Sequence, residues 1–213
     1  MNIWKIFFVR VKHSHIFELG ATIQTFIKMT QQIEKSFIQT KQFINRHKNY
    51  PTQSGIYAFY LSDNSNLFDF GKGGQLIYVG IAKDSLHDRD FNQHFKTGKT
   101  GSSTLRRSIG AVLKTHLNLI AIPRGASNDT KRFENYKFKD DQPLTDWMTA
   151  NLQIGYWVPN SILTYSELRE IEKKVTLDLK PTLDIDIRTR RFNILADDLV
   201  ALRNICKTEA GKK

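Results

Sequence analysis

The chain has 213 residues, 40% of them hydrophobic, which is enough for one full core or for a core plus a small accessory region. Lys and Arg number 32 against 21 Asp and Glu, and the resulting formal charge of +11 points to a polyanionic partner, most simply nucleic acid. The lone cysteine, Cys206, excludes a disulfide framework and a cysteine-type zinc site and fits a reducing cytosol, while no run approaches the roughly eighteen apolar residues of a membrane span.

The first residues, IWKIFFVRVK, are broken by Lys5 and Arg10 and lead to no small-residue cleavage signal, so a secretory leader is not expected and the cytoplasm is the expected compartment. His13 and His15 are the one close pair among the six histidines, with no third or fourth zinc ligand nearby. Residues 20–48 read as a basic helical arm. Ile23, Phe26, Ile27, Ile33, Phe37, Ile38 and Ile44 recur at mixed three-and-four spacing among Lys28, Lys35, Lys41, Arg46 and Lys48, and the pattern stops before Pro51. Such a helix either lies along nucleic acid or packs on the domain with a solvated basic face.

Two short strands follow, GIYAFY at 55–60 and IYVGIAKD at 77–84. The loop between them, SDNSNLFDFGKGG, has turn chemistry, which predicts an antiparallel hairpin with a long connection. Tyr57 and Tyr78 stand where Val or Ile would pack more simply, and a phenol there needs a partner for its hydroxyl; each is a rim residue or a working group. From 84 the pattern turns helical, capped by Asp84 or Ser85, with Leu86, Phe91 and Phe95 irregularly spaced. A second helix starts at Ser102-Ser103-Thr104 and buries Leu105, Ile109 and Val112, with Arg106 and Arg107 projecting elsewhere.

The polar stretch 123–143 predicts a long excursion with an edge strand around Tyr136–Phe138. Residues 144–152 give a short helix with Leu144, Trp147, Met148 and Leu152 on one face, and QIGYWVP gives a strand. ELREIEKKVTLDL at 167–179 is a helix closed by Pro181, and ILADDLVALRNIC is another. At about 100° per residue, Leu168, Ile171, Val175 and Leu179 form an apolar stripe, and Glu172 falls inside it. A carboxylate aimed at a core is costly unless paired, protonated or metal-bound. Glu172 is thus either an edge or arginine-paired residue, or a metal ligand or acid/base group in a cleft.

Two other patterns carry no chemistry. Gly98-Lys99-Thr100 would need a glycine where Gln93 stands to form a nucleotide phosphate loop, and Gly71-Lys72-Gly73-Gly74 is a turn.

In combination, Gly55-Ile56-Tyr57, Tyr78-Val79-Gly80, an arginine on the following helix and a glutamate on a later helix resemble the GIY-YIG nuclease superfamily over roughly 54–187, most like its restriction-enzyme-related or uncharacterised branches. The resemblance matches the family arginine to Arg89 and the family glutamate to Glu172, the residue that the helical wheel separately marks. It implies an α+β fold with a small, mainly antiparallel sheet flanked by helices, divided as an N-terminal helical extension (1–50), a nuclease domain (51–187) and a basic C-terminal helix or tail (188–213). Asp184 stands where the family usually has asparagine, Ile81 follows Tyr78-Val79-Gly80 where some members carry lysine, and one extra residue precedes Arg89.

The implied reaction is metal-dependent hydrolysis of a phosphodiester in DNA. Glu172 would hold Mg²⁺ or Mn²⁺, Arg89 would offset phosphate charge, and Tyr57 and Tyr78 would hold the attacking water, with a tyrosine or His94 as general base. Lys83, Arg106, Arg107 and Asp184 are expected to contact the nucleic acid, and double-strand cutting by one site per chain favours a homodimer or sequential nicking. The alternatives are a catalytically silent DNA-binding module and an RNA-cleaving enzyme.

Overall fold

The computed structural model describes residues 13–126, 128–129 and 134–211, without the side chains of 13–23, 25 and 26. The N-terminal apolar run, the side chains of His13 and His15, and those of Ile23 and Phe26 therefore lie outside the described residues.

Helix α1 (His13–Thr40) ends earlier than the periodicity predicts. The Thr40 hydroxyl has Ser36 O at 2.8 Å and Tyr156 O at 3.1 Å as acceptors for its one hydrogen, and it accepts the Tyr156 N–H at 2.8 Å. These bonds divert the chain onto a neighbouring strand, so 42–46 becomes strand β1 (Gln42–Phe43) and a 3₁₀ turn. Ile44 consequently packs in a different part of the core from Ile33 and Phe37.

Strand β2 (Gly55–Leu61) and strand β3 (Leu76–Ala82) form the predicted antiparallel pair. Helix α2 (Leu86–Arg89) is capped by Ser85, whose Oγ accepts the Asp88 N–H at 3.1 Å. Helix α3 (Thr104–Val112) is capped by Ser103. The excursion contains two short strands rather than one, β4 (Ala121–Pro123) and β5 (Tyr136–Phe138), paired with each other apart from the main sheet. Helix α4 (Gln142–Asn151) passes directly into β6 (Leu152–Trp157), so Leu152 opens a strand instead of closing a helix. Helices α5 (Tyr165–Leu179) and α6 (Ala196–Gly211) complete the fold, α5 starting from a capping box between Thr164 and Glu167.

The main sheet has the order β1-β6-β2-β3 with every pairing antiparallel, giving the α+β class. β2 is central and buried throughout, because helices cover both of its faces. Tyr57, Phe59 and Leu61 face Leu105, Ile109 and Met148, while Ile56, Ala58 and Tyr60 face Ile33, Phe37, Leu168 and Val175. α1 lies so close to β6 that a Cβ on Gly155 would meet Phe37 O at 2.2 Å. The second half of the N-terminal helix is thus core, with its Ser36 hydroxyl bonded to Tyr156 O. α6 likewise adds Leu199, Cys206 and Ala210 to the core. No helix among the described residues is long and apolar enough to cross a membrane.

Candidate active site

β3 is an edge strand, and the chain beyond α5 returns to it, with Leu183 N–H donating to Ile77 O at 2.8 Å. This contact holds α5 against the edge, where one flank of the helix meets the tyrosine face of the hairpin. On that face Tyr57 is opposite Gly80, and Phe59 is opposite Tyr78. The Tyr57 and Tyr78 rings lie nearly parallel, 25° apart, with centroids 6.3 Å from each other.

The irregular spacing after β3 has a structural cause. Residues Asp90–His94 form a π-helical turn, closed by Phe95 N–H to Asp90 O at 2.9 Å. In a regular α-helix, positions five apart point well away from each other at about 100° per residue; the wider turn brings Arg89 and His94 to the same oxygen. Arg89 Nε donates to the Tyr57 hydroxyl at 3.2 Å, and His94 Nε2 lies 2.8 Å from it. His94 Nδ1 is 2.8 Å from Ser103 Oγ.

Burial, then the Arg89 and Arg106 guanidiniums, hold the His94 pKa well below its ordinary value, so the ring is neutral. In the His94 tautomer that takes the phenolic hydrogen on Nε2, Nδ1–H points to Ser103 Oγ, while Arg89 donates to a lone pair of Tyr57. Burial pushes the Tyr57 phenol well above the usual tyrosine range and the Tyr78 phenol up to about 12, so both are protonated at neutral pH. His94 is fully buried behind Tyr57 and is not among the residues that line the cleft, so a base role for it would run through the Tyr57 hydroxyl.

Glu172 is 8% exposed and sits beside the buried Leu168 and Val175, as the helical wheel requires. Arg188 NH2 donates to its Oε2 at 2.8 Å and to Asp186 Oδ2 at 2.9 Å. Burial raises the Glu172 carboxyl to about 7 against the opposing pull of Arg188. Among the described residues no three His, Cys, Asp or Glu side chains converge as a ready-made metal cage. A Mg²⁺ that keeps most of its water needs only one or two carboxylates plus substrate oxygens. Glu172 fits that requirement: it faces the same cavity as Asp184 and Asp186, and its contact with Arg188 falls on one carboxylate oxygen, Oε2.

A cleft of about 210 Å³ joins Tyr57, Tyr78, Arg89 and Glu172. Through Arg89 and Tyr165 it continues into a lobe of about 420 Å³ that contains Lys83, and through Tyr78 and Glu172 into a lobe of about 310 Å³ that contains Asp184. Asp184 Oδ1 also accepts the Asp186 N–H at 3.0 Å, shaping the turn after α5.

Arg106 and Arg107 are elsewhere, and both expectations for them are corrected. Arg106 is fully buried, ion-paired with Asp141 at 3.0 Å and donating to His94 O at 3.0 Å. Arg107 is 7% exposed and bonds Gly101 O at 2.6 Å. Both belong to the scaffold beneath the site rather than to a nucleic-acid surface.

Several groups at the site escaped the sequence reading. Asp186 and Arg188 came from a stretch with no periodicity, and Tyr165 and Arg169 line the cleft from the first turns of α5. Asp90 is fully buried, takes the Tyr50 hydroxyl at 2.6 Å on Oδ2, and has no hydrogen-bond partner on Oδ1. The irregular spacing of Leu86, Phe91 and Phe95 gives no sign that Asp90 turns inward.

Among protein families, a model described as the GIY-YIG catalytic domain matches residues 43–204. Comparison with curated proteins and with solved structures found no match.

Proposed function

The chain belongs to the GIY-YIG catalytic-domain family, a nuclease domain, and on that premise we propose that it is a metal-dependent endonuclease hydrolysing phosphodiester bonds in DNA. The observation that carries the reading is the convergence of Tyr57, Tyr78, Arg89 and Glu172 on one cleft, with the Arg89–Tyr57–His94 chain of hydrogen bonds behind it.

Arg89 binds the scissile phosphate and offsets the charge that grows on it. Tyr57 and Tyr78 orient the attacking water. As the water oxygen bonds to phosphorus, its proton passes to Tyr57 Oη and the phenolic hydrogen moves to His94 Nε2; the P–O bond to the leaving sugar oxygen breaks, and that oxygen takes a proton from solvent. Protonating His94 is opposed by burial, Arg89 and Arg106, and the phosphate's negative charge beside Arg89 reduces the opposition. Glu172 would hold Mg²⁺ or Mn²⁺, which when bound supplies Lewis-acid stabilisation of phosphate oxygens. Lys83 and Asp184 contact the strand on either side. A restriction-type role, with two copies each cutting one strand, and a cytosolic setting suit the single site per chain and the free thiol of Cys206.

The test is cleavage of supercoiled plasmid and long genomic-type DNA with Mg²⁺, Mn²⁺ or EDTA, comparing the wild type with Glu172→Ala. Metal-dependent cutting that vanishes in the variant is the expected result, and discrete fragments would fix the restriction-type role. The occupation of Glu172 Oε2 by Arg188 favours one second reading, a DNA-binding module without cleavage; binding without cutting by both proteins would establish it.

A further inference from the structure

The cleft holds another cation with no role so far. Arg203, on α6, lines the 310 Å³ lobe together with Tyr78, Glu172 and Asp184. Among the described residues its hydrogen bonds use NH1 alone, which donates to Ser108 Oγ at 3.0 Å and reaches Thr104 O at 3.5 Å. The ion-paired arginines of the described residues are Arg106, Arg188 and Arg190, so Arg203 has no carboxylate partner there. Burial pulls its pKa below the usual value, and the groups that oppose this are the Tyr136 and Tyr78 phenols and the Cys206 thiol. A desolvated guanidinium without an anion is an unbalanced charge, and the donors that NH1 does not supply form the fork that matches a phosphate.

Position gives the ligand. Tyr78 and Glu172 line both the central cleft and the Arg203 lobe, while Arg89 lines the central cleft and the lobe that contains Lys83, which shares no residue with the Arg203 lobe. The two arginines thus flank the residues at which hydrolysis would occur. We infer that Arg203 is a second phosphate-binding residue, which takes the phosphodiester adjacent to the scissile one on the same nucleic-acid strand. The inference rests on the reading of the cleft as a phosphodiester site, and it makes α6 part of the substrate-binding surface.

The experiment is equilibrium binding of a labelled DNA duplex in EDTA across a salt series, by wild type, Arg203→Met, Arg203→Lys and Ser108→Ala, with thermal unfolding of each. Arg203→Met is expected to bind more weakly and to lower the magnitude of the slope of log K against log salt by about 1, the loss of one phosphate contact. Arg203→Lys keeps the slope with several-fold weaker binding, because an ammonium cannot fork. Ser108→Ala, which removes the anchor and keeps the charge, retains the slope. A folded Arg203→Met with unchanged slope overturns the inference. Should that variant not fold, Arg203→Lys decides: wild-type affinity overturns the inference, and weakened binding at an unchanged slope upholds it. A protein that never cuts but whose slope depends on Arg203 refutes the nuclease reading and leaves Arg203 standing as a phosphate-binding residue; one that cuts with a slope indifferent to Arg203 refutes the inference alone.

Discussion

Tyr57 lies across the backbone of Gly80: a Cβ at that glycine would come within 2.4 Å of Tyr57 Oη and 2.6 Å of its ring carbon Cζ. The two glycine-tyrosine triplets are therefore halves of one packing arrangement, in which the absent side chain of one strand makes room for the phenol of the other. Gly80→Ala is expected to push the ring off the Arg89–His94 pair. Overpacking of this kind costs about 1–3 kcal/mol, which the fold survives, whereas misplacing a reacting group by about 1 Å costs on the order of 100-fold in rate. Thermal unfolding and kcat measured on one preparation check this; a variant with full kcat would show that the ring position is not critical.

Removing the hydroxyls separates chemistry from packing. Tyr57→Phe leaves the Arg89 Nε donor and His94 Nε2 without their shared oxygen, and an unsatisfied buried polar group costs about 1–3 kcal/mol. Tyr78→Phe loses no such pair among the described residues and is expected to be milder in stability. Both variants should fold and cut poorly, by roughly 100-fold or more if the phenols place the water and move its proton. Full activity in both would remove tyrosine from the mechanism.

The strand pair and Glu172 were legible in the sequence because their signals are local: two short apolar runs, a turn-rich loop and one helical wheel. The π-helical turn at Asp90–His94 was not, since an i→i+5 bond breaks the 3.6-residue period by which a helix is recognised. β4 spans three residues ending in proline, too short for any alternation. Arg106 on an amphipathic helix reads as solvated by default, and its burial depends on Asp141, 35 residues away. The same holds for Glu172 and Arg188, whose meeting depends on a turn and return of the chain that leaves no compositional trace. Tyr57, Tyr78, Arg89 and Glu172, which meet in one cleft, were thus visible, and the groups bonded behind them were not.

Arg106 and Asp141 give a prediction of the opposite kind. The pair is buried, and the same carboxylate holds Thr100 Oγ1 and the Gly98 N–H, so the arginine ties the loop before α3 to α4. Arg106→Ala leaves that carboxylate uncompensated, at a cost of roughly 3–5 kcal/mol. Chemical denaturation should show a lower midpoint at unchanged m-value, and any folded fraction should bind DNA with the wild-type salt slope. A slope reduced at full stability would return Arg106 to the nucleic-acid surface.

Asp90 predicts a pH dependence. Burial lifts its carboxyl from the ordinary 3.8 to about 8, against the lowering effects of Tyr50 and Arg89. Between those values the folded protein holds a proton that the unfolded chain has released, so this group's contribution to stability falls as pH rises through that window and levels off above about 8. Asp90→Asn stays neutral throughout and keeps an acceptor for Tyr50. Thermal midpoints measured from pH 5 to 9 should decline by several degrees in the wild type and less in the variant, whose advantage is greatest at the alkaline end; parallel curves would mean that Asp90 is ionised in the folded state across the range.

Arg188 stands between Glu172 and Asp186, at 2.8 and 2.9 Å, and therefore competes with any cation for the same oxygens. Arg188→Ala removes the competitor and leaves two carboxylates facing each other across the cleft, an arrangement that favours a divalent ion. Mn²⁺ binding, followed by the loss of the free-ion electron paramagnetic signal, is expected to tighten several-fold. The variant should also be less stable without the ion and recover stability as Mn²⁺ is added, because an ion that binds only the folded state shifts unfolding by mass action. Affinity equal to or weaker than that of the wild type would show that Arg188 supports the ion site instead of opposing it, and would move the arginine's role to the substrate phosphate.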